Sequence, residues 1–217
     1  MLSRVWTVGL QPEWKVRVAR TDTDMPETPP QAWSDAGDHA LVDACLAGHS
    51  EAFAVIVERH RRQVYQVCYR FVNNHEDASD LAQDAFVRAY KGLRGFNQQS
   101  ALSTWLYRIA VNVSLNKVAV KAPRTESIAA REYPDERGER PDAAMLRGER
   151  AAEVRAAIAR LPNKQRATLI LRVYHDMPHD QIAEILGSSV GAVKANFFHA
   201  MANLKKLLQK KSDTSCI

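Results

Sequence analysis

The chain has 217 residues, 46% apolar and 25% charged, a composition that supports one or two folded domains and excludes disorder along its whole length. Its net charge is +5, and its three cysteines, Cys45, Cys68 and Cys216, are widely spaced without a CxxC pair, which excludes a disulfide framework or a zinc knuckle. No apolar run approaches the roughly 18 residues of a membrane span, and no basic start leads into a short apolar stretch, so the expectation is a cytoplasmic chain with no membrane insertion.

Residues 1–37 carry Pro12, Pro26, Pro29 and Pro30 with Trp6, Trp14 and Trp33 scattered without period, the pattern of a disordered N-terminal arm, in which Met25 offers a second start. From Asp38 to about Ala119 proline is absent and the apolar spacing is helical, so 38–119 reads as one compact helical domain. Its first helix runs from Asp38 to Ala47 and stops at Gly48. Ser50 is then expected to cap a long helix whose apolar row includes Phe53, Ile56, Val57, Val64, Val67 and Phe71. A third helix follows Asn74 and reaches Lys91, and a fourth begins near Ser100 and continues through Trp105, Ile109 and Val113 towards Val120.

Residues 120–150 are polar and broken by Pro123, Pro134, Gly138 and Pro141, and their charges cancel, so they read as a flexible linker with too little apolar surface to offset the entropy of folding. A second small helical domain is expected over 151–210, with a tail at 211–217; its first helix ends at Leu161 and Pro162, and its second spans Lys164 to Tyr174. The fold class is all-α, two helical bodies on one linker.

The run HDMPHDQIAEILGSSVGAVKANFFHAMANLKKLL then reads as helix, tight turn and second basic helix. Ile182, Ala183, Ile185 and Leu186 give the first an apolar face, Gly187 sits where a left-handed stop is needed, and Ser188 or Ser189 is available to cap the next. In the second helix Val190, Val193, Phe197, Met201 and Leu204 form the inward row, leaving Lys194, Asn196, Phe198 and His199 for a DNA major groove. Residues 151–217 hold ten basic and five acidic side chains, whereas 1–150 are balanced, so all the excess charge lies with this unit, as phosphate contact requires.

Three further groupings each have a plain reading and a functional one. Asp80, Asp84 and Arg88 share one edge of the third helix with Gln83; no His or third acid converges on them, so an exposed face or an acidic docking surface is favoured over a metal or acid–base site. Phe96, Asn97, Gln98, Gln99 and Ser100 form a polar loop, followed by Thr104, Trp105, Arg108 and Asn112. Rings and amides of this kind suit unstacked bases, while spacing alone favours Trp105 as a core anchor with Arg108 snorkelling. His175 and His179 flank Pro178, which denies them one continuous helical face and with it a helical metal site. Phosphate loops, nucleophile elbows, cofactor motifs and a catalytic set are missing from the sequence, so the chain is not expected to be an enzyme.

Two blocks in order, DLAQDAFVRAY with STWLYRIAVN, and LPNKQRATLILRVYHDMPHDQIAEILGSSVGAVKANFFHAMANL, resemble the second and fourth conserved regions of bacterial RNA polymerase sigma factors of the extracytoplasmic function type. That resemblance implies partners and roles. Asp80, Gln83 and Asp84 match positions that dock on the clamp helices of the largest subunit of core RNA polymerase. The loop from Phe96, Asn97 to Ser100 matches the segment that captures a flipped base of the minus 10 element, with Thr104, Trp105, Arg108 and Asn112 on the adjoining helix. Lys194, Ala195, Asn196, Phe198 and His199 match the helix that enters the minus 35 groove of promoter DNA. The resemblance also implies an anti-sigma factor as partner and a monomer when free. The family usually has Arg or Ser where Lys194, Ala195, Asn196 and His199 stand, which points to an unusual minus 35 sequence. A dimeric helix-turn-helix regulator is the rival reading, and it accounts for the C-terminal block alone.

Overall fold

The computed structural model describes residues 31–121 and 141–214; the arm at 1–30, most of the linker and the last residues, Cys216 among them, lie outside the described residues. Among the described residues all regular structure is helical, in the order α1 (Gln31–Ser34), α2 (Asp38–Leu46), α3 (Glu51–Val72), α4 (His75–Gly92), a 3-10 turn at Leu93–Gly95, α5 (Leu102–Lys121), α6 (Pro141–Ala159), α7 (Asn163–Tyr174), α8 (His179–Leu186) and α9 (Val190–Thr214). None of these helices is long and apolar enough to cross a membrane.

The first body is built around α3, which packs against α2, α4 and α5. Ile56, Val64, Val67 and Phe71 are buried along one face of it, facing Leu81, Ala85 and Phe86 of α4 and Leu102, Leu106 and Ala110 of α5 within one core. Asp38 in the first turn of α2 ties it to α3, accepting from Arg59 Nη1 at 3.2 Å and pairing with His60 Nε2 at 2.9 Å. Between α3 and α4 two asparagines divide the turn chemistry. Asn73 takes the left-handed conformation that ends α3, and the Asn74 side chain accepts the Asp77 N–H at 3.0 Å to start α4.

Three boundaries differ from expectation. Ser50 does not cap α3: it already has helical dihedrals and its side chain makes no capping bond, and the backbone carbonyl of His49 takes the Ala52 N–H instead. The ordered body begins before Asp38, since Trp33 packs against the core and the Ser34 carbonyl accepts from Arg59 at 2.7 Å. The helix before Pro162 starts at Pro141, ten residues inside the stretch that reads as linker, with Pro141 at a first-turn position where a missing N–H costs nothing.

In the second body α7, α8 and α6 pack against α9. Ile170, Leu171, Ile182, Ile185, Val193 and Ala200 fill its core. Gly187 closes α8 at φ +56, the Schellman-type stop, with the Ser188 N–H on the Ala183 carbonyl at 2.9 Å. Of the two serines that follow, Ser189 is the cap: its hydroxyl accepts the Ala192 N–H at 3.2 Å. The inward row of α9 runs Val193, Phe197, Ala200, Leu204 and Leu207 rather than through Val190 and Met201, which are 39% and 47% exposed.

Burial pushes the thiols of both Cys45 and Cys68 up to about 11, with Glu51 adding to the effect at Cys45. Near pH 8 each is then a thiolate roughly one part in a thousand, so native-state labelling of these two should run at least about tenfold slower than after denaturation. Peptide-resolved mass spectrometry reads this directly, and fast native labelling of Cys68 would contradict the core packing. Space around Gly187 is open, so Gly187→Ala should cost only the left-handed backbone penalty, about 1–2 kcal/mol, in denaturant unfolding. An unchanged midpoint would refute the assigned turn.

Candidate nucleic-acid and polymerase interface

The acidic edge of α4 is in place. Asp80 and Gln83 are exposed and Asp84 stands one turn from Asp80. Asp84 is not a free carboxylate, however: both its oxygens accept from Arg88 Nε at 3.0 Å, and the pair holds the Arg88 guanidinium above its ordinary pKa. The edge therefore offers one unpaired acid, Asp80, beside an exposed ion pair.

The loop after the 3-10 turn and the first turns of α5 enclose a groove lined by Phe96, Asn97, Gln99, Ser100, Trp105 and Arg108, with Glu184 of the second body at its rim. Its parts do different work. Phe96 is 5% exposed and stacks at a tilt on Trp105, ring centres 5.2 Å apart, so it forms the floor and cannot itself wrap a ligand. Trp105 is half-buried: it packs against the core and also lines the groove. Asn97 and Gln99 hold one another, side chain to side chain at 3.1 Å. Asn112 opens on an adjacent groove with Arg88, sharing the Trp105 wall.

Sequence spacing missed two features of this loop. Gln98 adopts φ +56, a strained conformation for a residue with a side chain, and its amide donates to Asp43 of α2 at 2.6 Å. The contact spans 55 positions, and no local pattern signals it.

Arg108 does not snorkel along its own helix. Its Nη2 donates to the Glu184 carbonyl of α8 at 3.0 Å, and Gln181 of α8 donates to the hydroxyl of Thr104, 3% exposed, at 3.4 Å. These bonds cross between the bodies. Beside them Arg70 of α3 lies 4.2 Å over the Tyr174 ring and Tyr107 meets His175 edge-on at 5.9 Å. Burial, with Arg70 nearby, lowers the pKa of His175 against the raising effect of Asp176. His175 and His179 thus serve different contacts, His179 packing on Phe197.

On α9, Lys194, Ala195, His199 and Phe198 are exposed, the last 70%, and Asn196 is half-exposed. They form one outward surface on the first turns of the helix. Phe198 is apolar surface that nothing in the chain covers among the described residues.

Comparison with known proteins assigns both bodies. The sigma-70 region 2 family matches residues 56–122 and the sigma-70 region 4 family matches 151–204. The chain is 33% identical over 181 residues to the RNA polymerase sigma-H factor of Pseudomonas aeruginosa, covering 79% of this chain and 94% of that relative. It is 33% identical over 171 residues to the ECF RNA polymerase sigma factor SigW of Bacillus subtilis, covering 75% and 91%. Among solved structures, CnrH in complex with the cytosolic domain of CnrY superposes with a TM-score of 0.57 at 28% identity, over 80% of this chain and 97% of that one. The sigma factor RpoE of Bartonella quintana, in complex with the anti-sigma factor NepR, shares the fold with a TM-score of 0.52 at 20% identity, over 72% and 96%. With two helical bodies, both sigma regions in order and relatives matched along nearly their whole length, the chain belongs to the extracytoplasmic function family of RNA polymerase sigma factors, which are non-enzymatic factors that direct transcription initiation.

Proposed function

We propose that this sigma factor divides its work between a body at 38–119, which docks on core RNA polymerase and reads the minus 10 element, and a body at 151–210, which reads the minus 35 element. Asp80, Gln83 and Asp84 dock on the clamp helices of the largest subunit. In support, they share one solvent-facing edge, and a basic partner side chain exchanges for Arg88 at an exposed ion pair of small intrinsic worth.

The observation that carries the reading is the groove beside α5, where a polar loop, an aromatic wall and a guanidinium meet. An extruded base finds amides and a hydroxyl at Asn97 and Ser100 for its edge and Trp105 for its face, over the floor made by Phe96, while Thr104, Arg108 and Asn112 continue along the strand. Holding a base out of the duplex costs a few kcal/mol, offset there by stacking and hydrogen bonds. Lys194, Ala195, Asn196, Phe198 and His199 enter the minus 35 major groove. Lys194 acts there as a point charge, without the bidentate fork of an arginine.

CnrH and RpoE are seen bound to CnrY and to an anti-sigma factor, which supports an anti-sigma partner for this chain as well. The working compartment is the cytoplasm, where polymerase acts, and the free protein is a monomer. A dimeric regulator would leave the first body, matched over 56–122, without a task.

Run-off transcription on a promoter library with core polymerase, and this protein as sole initiation factor, should give discrete start sites. Asp84→Lys should weaken core capture at least about tenfold with folding intact, whereas Lys194→Ala should lower promoter use with core capture unchanged. No defined start on any template would end the sigma reading; undiminished capture by Asp84→Lys would end the docking assignment.

A further inference from the structure

The loop at 96–100 is clamped at both ends and held only locally between them. Phe96 is 5% exposed with its N–H on the Leu93 carbonyl at 3.0 Å, and α5 begins at Leu102, with the Trp105 N–H on the Ala101 carbonyl at 3.2 Å. Asn97 and Gln99, exposed between those ends, are joined side chain to side chain and by the Gln99 N–H on Asn97 Oδ1 at 3.3 Å. Bonds that reach two residues along the chain fix the shape of a turn but not the direction in which it is aimed.

Gln98 supplies the aim. Its φ of +56 lies in the left-handed region, which glycine would adopt at no steric cost. Asn97 and Gln99 both line the groove, and Gln98 between them does not. Its amide donates instead to Asp43 Oδ1 at 2.6 Å, and a charged acceptor makes this bond stronger than one between neutral groups. Asp43 stands on α2, which packs on α3 and on the 3-10 turn that leads into the loop. It lies between Val42 and Ala44, both buried in the core, so the body fixes its place. A carboxylate on a rigid helix thus offsets the backbone cost of an inverted turn residue, and so aims the amides on either side of it.

We propose that Asp43 is a positioning residue for the minus 10 element: through Gln98 it holds Asn97 and Gln99 towards the groove, and so sets how sharply one extruded base is told from the others. The proposal rests on the reading of this groove as the minus 10 reader. Telling bases apart needs amides held in line with a base edge, because a hydrogen bond weakens steeply with misalignment. Without the tether the pair of Asn97 and Gln99 stays joined but swings as a unit, and it then meets several base edges about equally well. Stacking on Trp105 is indifferent to which base is held, so grip on the strand changes less than selectivity.

The test uses holoenzyme assembled from core polymerase and the full chain, transcribing promoters randomised across the minus 10 element, with the products sequenced to give the base preference at each position. Asp43→Ala removes the acceptor, Asp43→Asn keeps an oxygen that accepts, and Gln98→Gly removes the donor while relieving the backbone. Asp43→Ala and Gln98→Gly are each expected to flatten the preference at one position by about fivefold, with core capture and total output near the parent. Asp43→Asn should keep most of the preference, and Asp43→Ala combined with Gln98→Gly should be no flatter than either alone. Asn97→Ala, which acts in the groove itself, should flatten the same position. If Asp43→Ala leaves every preference intact while Asn97→Ala does not, the proposal is overturned and the reading of the groove stands. It is also overturned if the effects of the two single variants add, or if Asp43→Ala loses core capture in proportion to its output with preferences unaltered. If Asn97→Ala too leaves all positions unaltered, the groove is not the minus 10 reader and the proposal falls with it.

Discussion

Burial of one face of α3 is the constraint on which the first body depends, and the way that helix ends decides how the second body attaches. A 22-residue helix has enough length to pack against α2, α4 and α5 at once, with Ile56, Val64, Val67 and Phe71 buried along it. Asn73 terminates it in the left-handed conformation, its N–H on the Tyr69 carbonyl, and leaves the Phe71 carbonyl in the last turn for a partner outside the helix. That acceptor is where Arg166 of α7 arrives. Core packing, the turn between helices and the contact between bodies are thus three results of one helix end.

Periodicity made the helices legible because each has one wet and one dry face. The row from Ile56 to Phe71, the stop at Gly48, the start at Asn74 and the turn at Gly187 all follow from side-chain chemistry that acts over four residues or fewer. The boundaries that sequence misplaced are those decided from outside. Trp33 is ordered because α3 and His49 supply it with neighbours, although its own stretch is rich in proline. Met201 fits the apolar spacing of α9, but Ala200 takes the seam, fully buried while Met201 is 47% exposed.

For the interface the division is sharper. Residue types drew attention to the loop at 96–100 and to the first turns of α5, although spacing alone favoured a core anchor at Trp105. Their arrangement was not legible. Whether Phe96 is a floor or a wall, whether Arg108 faces solvent or a carbonyl 76 positions away, and whether Asp84 is free or paired are set by tertiary contacts. The basic excess of the second body, by contrast, needed no structure, because counterion release depends on charge count more than on pose.

The bond from Gln98 to Asp43 carries a lesson for comparing relatives. The loop at 96–100 owes part of its shape to a carboxylate on α2, so two proteins with identical letters at 96–100 but different ones at 43 present different surfaces. Drift at the exposed position 43 is silent for the core and audible in the loop. A code for promoter preference built from loop letters alone omits one of its characters.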